Sequence, residues 1–205
     1  MLRIGIDDFK DINENLGIDY GDKILRETAN CIASTILPGQ QLYRIVADEF
    51  MVVDFLGSTV EDARQLYKKI RQRIDEFIEE NHYEAVYTIS GGVLDSESLE
   101  EDSFSNIMKL SEFALSQAKR NGKNRCCIFQ IEEYHNFQHR RELIRVLRHA
   151  VHNDFQGFAT HFQPIVNPSD NRLIGAETLL RFQSEKTGAV SPMEFIPLLE
   201  ETGLI

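Results

Sequence analysis

In the apolar strand predicted for Arg172–Phe182, an anion and a cation share one face: Glu177 and Arg181 alternate with Leu173, Gly175 and Leu179, while Ile174, Ala176, Thr178, Leu180 and Phe182 point the other way. Two opposite charges on such a strand are costly unless they meet partners or a ligand. In a (β/α) barrel, polar residues near the carboxyl ends of strands read as an active site. The simpler alternative is a side-chain pair between Glu177 and Arg181 within a structural strand. Acids also gather in IGIDDFKDINENLGIDYGD, Ile4–Asp22, and in RIVADEF, Arg44–Phe50.

The elements that must position these residues follow from periodicity. Met1–Ile6 reads as a strand. Gly21–Leu37 has Ile24, Leu25, Thr28, Ile32 and Ile36 at helical spacing and stops at Pro38-Gly39. Leu42–Ile45 and Phe50–Phe55 form a hairpin around Val46-Ala47-Asp48-Glu49. A long helix carries Val60, Leu66, Ile70, Ile74 and Ile78 on one stripe. A strand over Ala85–Leu94 precedes a helix marked by Phe104, Met108, Leu115 and Ala118, which Asn121-Gly122 closes. Arg125–Ile131 is a further strand. The first six elements follow the ferredoxin-like β-α-β-β-α-β order, so the expected class is α+β, with a mostly antiparallel sheet under helices. Glu132–His139 shows no period and reads as a linker. Beyond it come a basic amphipathic helix with Leu143, Ile144, Leu147, Ala150 and Val151 on one face, strands over Ala159–Val166 and Arg172–Phe182, and a helix from Pro192.

These motifs resemble two families. The first 131 residues resemble the GGDEF family of diguanylate cyclases, which join two GTP molecules into cyclic di-GMP, and the palm-type fold of that family agrees with the element order. HFQPIVNPSDNRLIGAETLLRF and PMEFIPLLEETGLI resemble the opening of an EAL domain, a family that hydrolyses cyclic di-GMP. The organisation expected is a GGDEF-like domain over 1–131, a linker over 132–139, and over 140–205 the first two strands and helices of an EAL (β/α) barrel. A whole barrel of that kind needs about 250 residues, so the chain is expected to be a fragment of a GGDEF–EAL tandem protein. The family's later carboxylates, lysine and asparagine would then lie beyond Ile205. Two unclosed strands would leave edges, which the segment would cover by packing on the palm domain or by pairing with another chain, unless it is poorly ordered.

Phosphoryl transfer depends on positioning and charge neutralisation, magnesium needs hard oxygen ligands, and glycine lets backbone approach phosphates. Phe9-Lys10-Asp11-Ile12-Asn13 sets the register of the resemblance. The family's first metal-binding aspartate falls on Gly5, which has no side-chain oxygen, and the second on Asp7. The two signature glycines fall on Val46 and Ala47, followed by Asp48, Glu49 and Phe50 in family positions, with Asp48 the other metal carboxylate. A β-branched residue at 46 disfavours glycine-like backbone. The resemblance therefore implies a silent cyclase site; the alternative for Val46–Glu49 is an ordinary polar hairpin tip. Asn13 and Asp22 match the guanine-contacting pair, since an amide and a carboxylate can read the donor and acceptor edge of guanine, although Asn13 could equally cap a helix or turn. Lys119 and Lys123 match the phosphate-meeting residues, and Lys123 replaces an arginine's fork with a point charge; the alternative is a pair of solvated helix-end cations. Leu37–Gln40 reads LPGQ, so the family's R-x-x-D inhibition motif is absent. The family's opening D-x-L-T-G-L-x-N-R segment is also missing. In the EAL-like part, Glu177 matches the glutamate that binds catalytic Mg2+ or Mn2+, while Arg181 and Gln163 match ligand-contacting positions.

The function implied is a regulatory, dimerising or GTP-sensing module attached to a cyclic di-GMP phosphodiesterase, with GTP and cyclic di-GMP as ligands and a homodimer among its partners. The competing class is a non-catalytic nucleotide receptor or protein scaffold. A net charge of −11, from 33 acidic and 22 basic residues, disfavours a nucleic-acid polymer as partner. No apolar run nears the roughly 20 residues that span a bilayer, and no secretion signal opens the chain. The expected location is cytoplasmic, with any tether in regions outside this chain. Cys31, Cys126 and Cys127 lack zinc spacing and read as small buried hydrophobes.

Overall fold

The alternation in Leu2–Ile6 organises the first part of the molecule. In the computed structural model, which describes residues 1–99 and 103–205, this strand (β1) is buried at every position. Leu2, Ile4 and Ile6 are at most 1% exposed and face a helix layer; Arg3 and Gly5 face the other way. β2 (Gln40–Val46) and β3 (Glu49–Asp54) form the hairpin, and β4 (Ile89–Val93) and β5 (Cys126–Ile128) complete a sheet in the order β2-β3-β1-β4-β5. Only the β4–β5 pair is parallel. The expected α+β class and mostly antiparallel sheet are thus present.

Helices cover both faces. α2 (Ile18–Thr35) buries Ile24, Leu25 and Ile32, and α3 (Val60–Glu80) buries Leu66, Ile70 and Ile74, so both join the core of Leu2, Ile4, Phe50, Val52 and Ile89. Each buried aliphatic side chain contributes about 1.5–3 kcal/mol of transfer free energy. α3 begins at a capping box in which Thr59 and Asp62 satisfy each other's backbone N–H groups. On the opposite face lies α4 (Phe104–Arg120), whose N-cap Ser103 accepts from the Asn106 N–H. Its approach to the sheet is set by Gly92, which pairs with Arg3 on β1. A Cβ at position 92 would stand 2.3 Å from the Leu115 nitrogen and 2.7 Å from the Ala114 carbonyl carbon. The helix therefore rests on sheet backbone.

Several boundaries differ from the sequence reading. A helix not foreseen, α1 (Phe9–Leu16), follows β1; Asp8 turns the chain into it with a left-handed φ of 54° and Gly17 ends it. The strand expected from Ala85 begins only at Ile89, and the one expected over Arg125–Ile131 shrinks to Cys126–Ile128. The segment read as a linker, 132–139, is helical: α5 runs unbroken over Ile131–His152. Tyr134 explains why the apparent lack of period misleads, since it anchors this helix by edge-on contacts with Phe113 at 5.1 Å between ring centres.

The chain divides into two compact units, Met1–Tyr134 and His135–Ile205. In the second, β6 (Phe158–Val166), β7 (Leu173–Ser184) and a short unforeseen β8 (Gly188–Val190) form an antiparallel sheet. Leu143, Leu147 and Ala150 of α5 and Phe195, Leu198 and Leu199 of α6 (Pro192–Glu201) build its core with Phe182. No helix among the described residues is long and apolar enough to cross a membrane. Because Gly92 meets backbone and not a movable side chain, Gly92→Ala is expected to destabilise the first unit by about 1–3 kcal/mol, read as a lower urea midpoint with an unchanged slope.

Candidate functional site

The acidic hairpin tip joins β2 to β3 beside the end of β1. Gly5 pairs with Glu49 on one side and Ser90 on the other, so the side chains of positions 5, 49 and 90 share the α4 face. Val46 remains in β2 and is exposed, and the left-handed backbone falls on Ala47, at φ 45°. An L-residue held there costs about 1–2 kcal/mol. The turn is stabilised by Arg44, whose Nε and Nη2 donate to the Ala47 carbonyl at 3.0 and 2.7 Å.

Each acid at this tip has a protein partner. Asp7 is 4% exposed. Its carboxylate accepts from the Thr88 hydroxyl at 2.7 Å, the Ser90 hydroxyl at 2.7 Å and the Asn124 N–H at 3.1 Å. Glu49 Oε2 accepts from Arg3 Nε at 2.7 Å and lies 2.5 Å from Arg3 Nη2. Arg3 is 3% exposed, and its Nη1 also donates to the Met108 carbonyl at 2.9 Å. Asp48 Oδ2 lies 3.6 Å from the Lys119 ammonium. Asp8 accepts from Lys123 Nζ at 2.5 Å, a hydrogen bond that raises the lysine's pKa further above its ordinary value.

Gly5 leaves space that Lys119 fills. A Cβ built at position 5 would lie 2.9 Å from Lys119 Nζ and 3.2 Å from Leu115 Cδ2. A divalent cation needs several oxygen ligands. Here position 5 offers none, Asp7 is buried and already accepts from three protein donors, and Asp48 already faces a cation. The residues at the tip do not fit the two-carboxylate metal site that the resemblance implies. Among the described residues, no group of three or more His, Cys, Asp or Glu side chains is placed to hold a metal.

Asn13 and Asp22 come from neighbouring helices. Asn13, in the last turns of α1, lies over Gly21 in the first turns of α2; a Cβ on Gly21 would sit 1.8 Å from Asn13 Oδ1. That oxygen is buried without a hydrogen-bond partner. Such a group carries a desolvation cost of about 1–3 kcal/mol. Asp22 is exposed and opens onto a cleft of about 460 Å³ lined also by Leu25, Arg26, Leu42, Arg44 and Phe50. Lys119 and Lys123 stand beside the tip and its flank, each against an acid.

In the second unit, Gln163 and Glu177 are direct cross-strand partners, and Arg181 opposes Ala159 on the same face. Phe182 occupies the face that closes on α5 and α6. Gln163 and Glu177 are exposed, and Arg181 Nη1 donates to the Leu180 carbonyl at 2.9 Å. Glu177 supplies one carboxylate to that surface, which fits one ligand of an oxygen-rich ion site and falls short of a complete one.

Arg3 and Arg44 were not singled out from sequence. Arg3 had a legible signal: a cation inside LRIGI is the same anomaly that marks Arg181. Arg44 had none, because an arginine on an exposed hairpin strand is ordinary.

The fold is that of the GGDEF family, and the chain belongs to it: the family model described as diguanylate cyclase, GGDEF domain, matches residues 1–125. The EAL domain model matches residues 144–205. The bifunctional diguanylate cyclase/cyclic di-GMP phosphodiesterase MucR of Pseudomonas aeruginosa is 29% identical over 209 residues, covering 100% of this chain and 29% of its own length. The active GGEEF domain of a diguanylate cyclase from Vibrio cholerae superposes with a TM-score of 0.54 at 35% identity, over 63% of this chain and 81% of that one. LapD of Vibrio cholerae, solved as an S helix-GGDEF-EAL chain, shares the fold with a TM-score of 0.52 at 18% identity, over 98% of this chain and 46% of that one. The chain spans less than a third of the curated relatives that it matches along its whole length.

The Arg3–Glu49 pair ties β1, β3 and α4 together in a desolvated setting. Removing one partner leaves a buried charge, a loss of about 3–5 kcal/mol, whereas apolar replacement of both is milder. Urea unfolding is expected to give a large loss for Glu49→Leu and a smaller one for Arg3→Met with Glu49→Leu.

Proposed function

We propose that residues 1–131 form a regulatory GGDEF module that binds GTP without cyclising it, in a protein of bacterial cyclic di-GMP signalling. The observation that carries this reading is the filled metal position: Lys119 stands against Gly5 and Asp48, where catalysis needs a carboxylate pair. The nucleotide-reading side is supported by the buried, partnerless Asn13 Oδ1 and the open cleft at Asp22. In this reading Asn13 and Asp22 meet the guanine edge, and Lys119 and Lys123 meet phosphate oxygens, Lys123 by exchanging Asp8 for the ligand.

Residues 140–205 are taken as the start of an EAL domain of a cyclic di-GMP phosphodiesterase, with α5 carrying the chain out of the first module. Glu177 would hold a Mg2+ or Mn2+ ion with ligands from elsewhere, and that ion would activate water. Gln163 and Arg181 would hold the dinucleotide; the shared face of these three residues supports it. MucR, named as bifunctional, supports pairing the two activities in one protein. The proposed location is cytoplasmic, and dimerisation is assigned to the first module.

Two measurements test the proposal. Incubation with GTP and Mg2+ or Mn2+ is expected to yield no cyclic di-GMP by chromatography; product formation sinks the silent-site reading. Calorimetric titration is expected to show GTP binding that weakens about 10-fold to 100-fold in Asp22→Ala and Asn13→Ala. An absence of heat with both GTP and cyclic di-GMP would leave a structural module.

A further inference from the structure

We propose that Lys119 is a tethered cation occupying the place of a divalent ion at the hairpin tip, so that a nucleoside triphosphate bound there is held without metal; the nucleotide part rests on the GTP-binding reading above. Helix polarity alone accounts for a basic residue in the last turn of α4. It does not account for the direction of this side chain, which runs over Gly5 until its ammonium is 2.9 Å from where a Cβ would be and 3.6 Å from Asp48 Oδ2.

The surroundings make the ammonium the compensating charge for Asp48. Glu49 is bound by Arg3, and Asp7 by three neutral donors. A divalent ion approaching Asp48 would be repelled by Lys119 at close range and would gain no ligand from position 5. An ammonium has three donors, and at 3.6 Å from Asp48 Oδ2 it makes an ion pair without a hydrogen bond, which leaves it donor capacity for phosphate oxygens. Its side chain is 32% exposed, which leaves the charge reachable from solvent. Glycine at 5 and lysine at 119 thus form one device: a side chain at 5 would compete for the space that the lysine end now uses.

The test uses the 205-residue chain, Mn2+ followed by electron paramagnetic resonance, and GTP followed by calorimetry. An acidic protein takes up some Mn2+ on its surface, so the readout is the part that depends on Asp48. In the native sequence, Asp48→Asn is expected to leave Mn2+ uptake unchanged. In Gly5→Asp with Lys119→Met, a new site is expected, removed by Asp48→Asn. An Asp48-dependent site in the native sequence overturns the proposal, as does failure of the paired variant to gain one while its circular dichroism remains native. GTP affinity is expected to be the same in chelator as in Mg2+ and to fall about tenfold or more in Lys119→Met; a tenfold loss on chelation overturns metal independence. If GTP gives no heat in either buffer, the GTP-binding reading fails and metal-free nucleotide binding falls with it. The Mn2+ measurement then decides the tethered cation by itself.

Discussion

The first unit depends on a guanidinium held almost entirely out of water. Arg3 lies within β1, and its side-chain partners come from two other elements: Glu49 at the start of β3, and the Met108 carbonyl and Ser111 hydroxyl in α4. A buried cation tolerates few arrangements, because every donor left unmet costs desolvation. The pair therefore fixes the register of the hairpin against β1 and the position of α4 above the sheet. Gly92 permits the same close approach from the β4 side. With α4 at that height, Lys119 in its last turn reaches the tip.

The charge balance of the tip follows from this geometry. Asp7, Asp48 and Glu49 lie at or beside the hairpin tip, and the protein supplies Arg3, Lys119 and three neutral donors to them. Carboxylates paired in this way need no external ion to fold. At the tip, left-handed Ala47 is held by Arg44, and the neighbouring carboxylates meet protein cations and hydroxyl or amide donors.

The second unit presents a different organisation. Its sheet has one face on α5 and α6 and the other carrying Gln163, Glu177 and Arg181. Separation of apolar and polar faces by strand alternation is enough to place these three side chains together, and no ion pair is needed to explain them. Phe162, Ile165, Leu173 and Ile174 are also exposed on these strands, more apolar surface than an isolated hairpin ordinarily shows to water.

Much of this was legible in the sequence. Period-2 and period-3.6 patterns placed the β2–β3 hairpin, the helices α2, α3 and α4 and the alternation that puts Glu177 and Arg181 on one face, because burial imposes those periods on any chain. The register from Phe9-Lys10 put a residue without side-chain oxygen, Gly5, at the position of the family's first aspartate. What the sequence left open was decided by contacts between distant residues. Helix α1 follows a left-handed turn at Asp8, and in the helix over 132–139 Tyr134 packs on Phe113. The meeting of Lys119 with Gly5 and Asp48 joins positions far apart along the chain. Local pattern records which face of an element is buried; it does not record which side chain will fill the space a glycine leaves, since that is fixed only when the helix and sheet come to their final separation.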